Sequence, residues 1–218
     1  MTNYRLVLAQ TALPAFIKKK KLAQLLAVTA RAFDSRMPSL KGLDYNACLR
    51  LYAQFTVELC EMAVQQNLDL VRIRRSLYEG ALDMAKDLRY SFRISDTAEA
   101  MQLCRILYRN MGIDFICHEP GDITIKRCFF SEFYSARTCD IISGLDKGLI
   151  IGLAGPGDVV FSHRITEGHE TCRAVYKLTN AGQRPPDHKG GKGRPSDRKR
   201  GKRRALRQKR SVSSRTSR

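Results

Sequence analysis

The chain has 218 residues, 39 Lys and Arg against 21 Asp and Glu, and a formal net charge of +18. A hydrophobic share of 43% excludes a wholly disordered chain. No run of about eighteen apolar residues exists, so neither a membrane-spanning helix nor a membrane partner is expected. The charge is uneven: residues 179–218 hold 15 of the Lys and Arg and only 2 Asp. The expected organisation is a helical subdomain over 1–112, a β-rich, Cys-containing subdomain of the same domain over 113–178, and a disordered basic tail over 179–218.

The first apolar stripe is Leu22, Leu25, Leu26, Thr29 and Phe33, at helical spacing, with Pro14 suited to the first turn. Lys18–Lys21 followed by Leu22–Ala30 has the look of a secretory leader. The basic cluster starts late, however, and Gln24 interrupts the apolar run, so an amphipathic helix is expected instead. A second helix is read from Tyr45, Cys48, Leu49, Tyr52, Thr56, Leu59, Met62 and Ala63. A third comes from Leu70, Ile73, Leu77, Ala81, Met84 and Leu88, with Asp69 as its cap. Asp96 and Glu99 form a capping-box pattern for a fourth, whose apolar face is Ala100, Leu103, Cys104, Leu107 and Met111 and which Gly112 can end. Short connections predict antiparallel packing of sequence neighbours.

The period changes after Gly112. Ile113–His118 and Asp122–Phe129 read as strands joined by a type II turn at Glu119-Pro120-Gly121-Asp122. Phe130–Leu153 is mixed and partly helical. Asp158–Thr166 and Thr171–Leu178 alternate as strands. A two-residue turn at Gly168-His169 would pair Glu167 with Glu170, Ile165 with Cys172 and His163 with Ala174. His163 and Cys172 would then be diagonal neighbours, with Arg164 on the opposite face. The predicted fold is α+β, antiparallel helices first and a small antiparallel sheet second.

Seven cysteines, with no Cys-x-x-Cys pair and no leader, predict reduced thiols and a cytoplasmic location. Cys48, Cys60 and Cys104 read as packing residues. Cys117, Cys128, Cys139 and Cys172 cluster with His118, His163 and His169, but their spacings match no zinc site. No phosphate loop or dinucleotide fingerprint is present, so no metal and no cofactor is expected.

The order Cys128-Phe129-Phe130, Cys139-Asp140, Phe161-Ser162-His163-Arg164-Ile165-Thr166 and Gly168-x3-Cys172 resembles the C-terminal region of the L-2-aminothiazoline-4-carboxylate hydrolase family. The likeness spans Ile125–Tyr176. Two departures stand out. The family has its acid a few residues after the second Cys, whereas Asp140 follows Cys139 directly. Arg173-Ala174 stand where an acid and an aromatic are usual.

The resemblance implies a hydrolase-like enzyme that opens a small cyclic amidine toward cysteine. Cys128, Cys139 and Cys172 are unranked candidate nucleophiles, at least one of them needed for turnover. Asp140 and His163 are candidate proton carriers. Arg164 is the candidate carboxylate clamp, with Thr166 beside it as a second substrate-binding residue. The layout also resembles four-vinyl-reductase-type domains, which would make it a small-ligand or metal-binding sensor module. A third reading is weak, non-specific nucleic-acid contact through residues 184–210, without aromatic residues for base stacking.

Overall fold

The computed structural model describes residues 3–179, except residue 12 and residues 119 and 120. The basic tail and its expected nucleic-acid contact over 184–210 lie outside the described residues, as do the first two residues of the expected type II turn. The described elements run α1 (Tyr4–Thr11), α2 (Ala15–Ala32), α3 (Tyr45–Gln65), α4 (Leu70–Phe92), α5 (Thr97–Asn110), β1 (Ile113–His118), β2 (Asp122–Cys128), α6 (Ala136–Ala154), β3 (Gly157–His163) and β4 (Cys172–Leu178). Short 3-10 turns at Phe129–Glu132 and Ile165–Glu167 follow β2 and β3. The architecture is α+β, with one four-stranded antiparallel sheet in the order β1-β2-β4-β3.

Capping explains where the helices begin. Asp44 accepts from the Ala47 N–H at 2.7 Å, and Asp69 from the N–H groups of Val71 and Arg72 at 3.0 Å. Asp96 accepts from the Glu99 N–H at 2.9 Å, but the expected box is displaced by one residue. The Glu99 carboxylate takes the N–H of Ser95, not that of Asp96. The short helix α1 was not anticipated. It buries only Leu6 and Ala9, and Asn3 before it accepts from the Leu6 N–H at 3.4 Å.

Sequence neighbours are not the main packing partners, which corrects the antiparallel expectation. The α4 helix packs chiefly on α6 and next on α2. Gly144, Gly148 and Gly152 form an i, i+4, i+8 stripe on α6 that lies against the α4 backbone. A methyl at Gly144 would stand 2.6 Å from the Arg74 carbonyl oxygen. One at Gly152 would stand 2.5 Å from Ala85 Cβ, and one at Gly148 would overlap the Tyr78 carbonyl oxygen. With Ala81 and Ala85 facing them, the two helices meet backbone to backbone. Twelve residues of α6 are buried, so it is the element enclosed by both helices and sheet, not a surface helix.

The sheet lays Phe115, Ile123, Ile125, Val159, Ala174 and Tyr176 onto the helices. The expected alternation of β4 is present, with Cys172, Ala174 and Tyr176 inward, although Leu178 is exposed. The register of its hairpin is not the expected one. Phe161 pairs with Ala174 and His163 with Arg173, with a bulge between Phe161 and His163. The strand ends at His163, a 3-10 turn replaces the tight turn, and Glu167 and Glu170 are not ladder partners. One inserted residue inverts the side-chain phase beyond it.

In a free helix Gly→Ala gains roughly 1 kcal/mol. At Gly148 the overpacking against Tyr78 and Ala81 dominates, and Gly148→Ala should cost about 1–3 kcal/mol in urea-unfolding stability. A variant more stable than the parent would contradict this contact.

Candidate functional site

The same helix that presses its glycines on α4 turns another stripe toward the sheet. Cys139, Ile142, Leu145, Asp146 and Leu149 line a cavity of about 140 Å³. An apolar cavity of roughly 150 Å³ accepts one benzene-sized ring. Leu22 and Leu25 of α2, Met84 and Leu88 of α4, Leu107 of α5 and Met111 just after it supply apolar wall. Tyr52, Phe130 and Tyr134 supply aromatic wall, with the Phe130 ring 5.8 Å from Tyr52 and 5.3 Å from Tyr134. Cys128 of β2, Cys172 of β4 and Arg164 just beyond β3 complete it from the sheet side.

Asp146 is the one carboxylate on this lining. It accepts a hydrogen bond from the Tyr108 hydroxyl at 2.6 Å, and Tyr108 is itself stacked on Phe115 at 4.9 Å. Burial raises the Asp146 pKa to about 6, partly offset by that hydrogen bond and by the charge of Arg164. The thiols are shifted the same way. Burial pushes Cys128 up to about 12 and Cys139 to about 11, and it raises Cys172. At neutral pH all three are thiols rather than thiolates. The Cys172 sulfur also accepts from the Ile165 N–H at 3.3 Å.

The bulge decides which side chain of β3 reaches the cavity. Arg164 turns inward, with its guanidinium 4.9 Å above the Phe161 ring and its side chain only 14% exposed. It donates to Glu167 at 3.0 Å and lies 3.9 Å from Asp140. Its Nε is buried without a partner.

His163 does not line the cavity, which corrects its expected place beside Cys172. Its ring lies 4.7 Å from that of His169 at a tilt of 47°, and it meets the Ser162 hydroxyl at 3.2 Å. Asp140 also lies off the cavity lining, half-exposed and ion-paired to Arg74. The Thr166 hydroxyl is buried beside the Cys139 thiol, whose pKa it lowers somewhat, although no hydrogen bond of full geometry joins them. Thus Cys128, Cys139, Cys172 and Arg164 share one cavity, and Asp140 and His163 stand outside it.

The sequence reading missed Asp146, Tyr108 and Tyr134. The usable signal for Asp146 was its spacing. Seven residues after Cys139 is two helical turns, so both side chains share a face. Cys48, Cys60 and Cys104 are buried core thiols, and none of the seven cysteines is in a disulfide. Among the described residues no three His, Cys, Asp or Glu side chains converge as a metal site. No described helix is long and apolar enough to cross a membrane. No protein-family model, curated protein or solved structure matches the chain.

Two outcomes follow from these protonation states. The folded pKa of Asp146 lies above the ordinary 3.8, so its neutral form is the one favoured by folding. Its contribution is complete below about pH 4 and is lost as pH rises through about 6, a step of up to about 3 kcal/mol. In Asp146→Asn that step should vanish from the stability-versus-pH curve; parallel curves for the two proteins would contradict the assignment. Iodoacetamide at pH 7 should modify Cys128, Cys139 and Cys172 at least about tenfold more slowly than a model thiol, because thiolate is the reacting form. Peptide mapping reads the rates, and fast labelling at any of the three would refute the raised pKa there.

Proposed function

We propose that this domain is a hydrolase-like enzyme that opens a small cyclic amidine of the 2-aminothiazoline-4-carboxylate type. The observation that carries the reading is Asp146, the one carboxylate on a predominantly apolar, ring-sized cavity, held by Tyr108 and with its pKa raised to about 6 by its surroundings. A base with such a pKa is mostly ionised at neutral pH yet basic enough to accept a proton from water. An amidine also presents N–H donors that a carboxylate attracts.

In this mechanism water adds to the ring carbon between nitrogen and sulfur, and Asp146 takes its proton. One ring bond from that carbon then breaks, and the leaving atom receives the proton from Asp146. The sum is addition of one water and opening of the ring. Tyr108 fixes the carboxylate through its 2.6 Å hydrogen bond. Arg164, already facing Glu167 and Asp140, lowers the Asp146 pKa from a distance and offers its unpartnered Nε. The three thiols act as wall, since a nucleophilic role would need a thiolate that burial disfavours. This reading moves the proton-carrying role from Asp140 and His163 to Asp146.

The predominantly apolar lining favours a second reading, a small-ligand sensor module of the four-vinyl-reductase type. That reading predicts an apolar or coloured molecule that copurifies with the protein and no turnover.

The test is turnover of 2-aminothiazoline-4-carboxylate by the full-length protein, followed by chromatography. Ring opening is expected, with kcat/KM rising through pH 6 as Asp146 ionises. Asp146→Asn should lower kcat by about 10²–10⁴-fold. The Cys128→Ser, Cys139→Ser, Cys172→Ser triple variant should stay within about tenfold of the parent, since no thiolate takes part. Absence of ring opening would remove the enzyme reading, and loss of activity in the triple variant alone would return the chemistry to the thiols.

A further inference from the structure

Beside the cavity runs a surface groove that shares Leu13, Lys18, Tyr45 and Asn110 with it and continues to Arg50 and Arg109. Its lining contains three cations and no carboxylate. None of Lys18, Arg50 and Arg109 forms an ion pair among the described residues. The groove is built, not merely basic. Tyr45 donates its hydroxyl to the Asn110 carbonyl at 2.8 Å, which fixes its ring, and the Lys18 ammonium stands 5.9 Å above that ring. Arg109 is held at the Gln10 carbonyl at 2.7 Å.

The inner end of the cavity offers an anion much less. Arg164 faces the carboxylates of Glu167 and Asp140, and Asp146 shares the same lining. Uncompensated positive charge therefore lies at the groove, while the space for apolar atoms lies within.

From this arrangement we infer that the cavity takes an anionic amphiphile. Its apolar part occupies the cavity and its carboxylate or phosphate monoester sits in the Lys18–Arg50–Arg109 groove. The inference rests on the reading of the cavity as a ligand site, and it moves the anion clamp from Arg164 to the groove. Arginine suits the role, because its guanidinium meets carboxylate and phosphate oxygens in a planar fork.

The experiment is a chemical-shift titration of the ¹⁵N-labelled full-length protein at physiological salt. The probes are hexanoate, hexyl phosphate and hexanol, with acetate and inorganic phosphate as chainless anions. Hexanoate and hexyl phosphate should bind about tenfold or more tighter than hexanol, as expected for one charge-assisted contact. The chainless anions should not saturate the cavity resonances. Arg50→Gln with Arg109→Gln should erase the preference and leave hexanol affinity unchanged, which also reports an intact cavity. If that double variant does not fold, Lys18→Gln should reduce the same preference.

Hexanol binding as tightly as the anions would overturn the groove while the cavity reading stands, and so would a preference that survives the substitutions. No binding by any chain-bearing probe would overturn both. Chainless anions that saturate the cavity resonances alone would likewise count against an amphiphile.

Discussion

At the α4–α6 crossing, three glycines on one helix meet the carbonyls and alanines of the other. Two helices that carry large side chains at their contact stand about 8–10 Å apart. Without Cβ atoms at Gly144, Gly148 and Gly152, α6 can lie directly on the α4 backbone. That approach sinks α6 into the protein, so its opposite stripe faces inward as well. Asp146 occupies that stripe, and its desolvation follows from the depth of the helix. A looser crossing would leave the same carboxylate nearer water, with an ordinary acidity.

The cavity is a consequence of the same constraint. Apolar side chains from four helices and the sheet surround Asp146, while only Tyr108 donates a hydrogen bond to it at close range. A carboxylate that is only partly exposed, with one hydrogen-bond donor and no ion pair among the described residues, holds its proton more tightly than one in water. The thiols share the dry surroundings and respond in the same direction. Acid and thiols thus line one cavity with their reactivities reordered by a single physical cause. The carboxylate is brought toward neutrality, where a base is useful, and the thiols are carried away from it.

Much of the fold was legible because helices announce themselves by period and cap. The stripes of α2 through α5 and the caps Asp69 and Asp96 are local features, and local features survive in a single sequence. The α6 helix was only partly legible. Arg137, Asp140, Asp146 and Lys147 are spread among its apolar residues and leave no clean polar face to mark its period, and its glycines argue against a helix unless a close neighbour is known. The α1 helix is short and buries little apolar surface.

The three thiols and Arg164 that line the cavity were among the residues singled out from the sequence. The acid of the cavity was not. Asp140 adjoins Cys139 in sequence, but one residue turns a helix by about 100°, which puts it on a different face. Seven residues return nearly to the same face, where Asp146 lies. The His163 placement failed for a different reason. A bulge adds one residue to a strand without any sequence mark, and every side chain after it changes sides. Arg164 gained the cavity and His163 lost it by that single insertion.

The account turns on one carboxyl group, desolvated by the close approach of two helices. The most direct measurement is the ¹³C carboxyl titration of Asp146 in the native protein, with Asp146→Asn used to assign its resonance. A midpoint at about 6 is predicted, well above the roughly 3.9 of an exposed aspartate. A midpoint near that ordinary value would mean that water reaches the group freely, and the dry, base-bearing cavity would not exist.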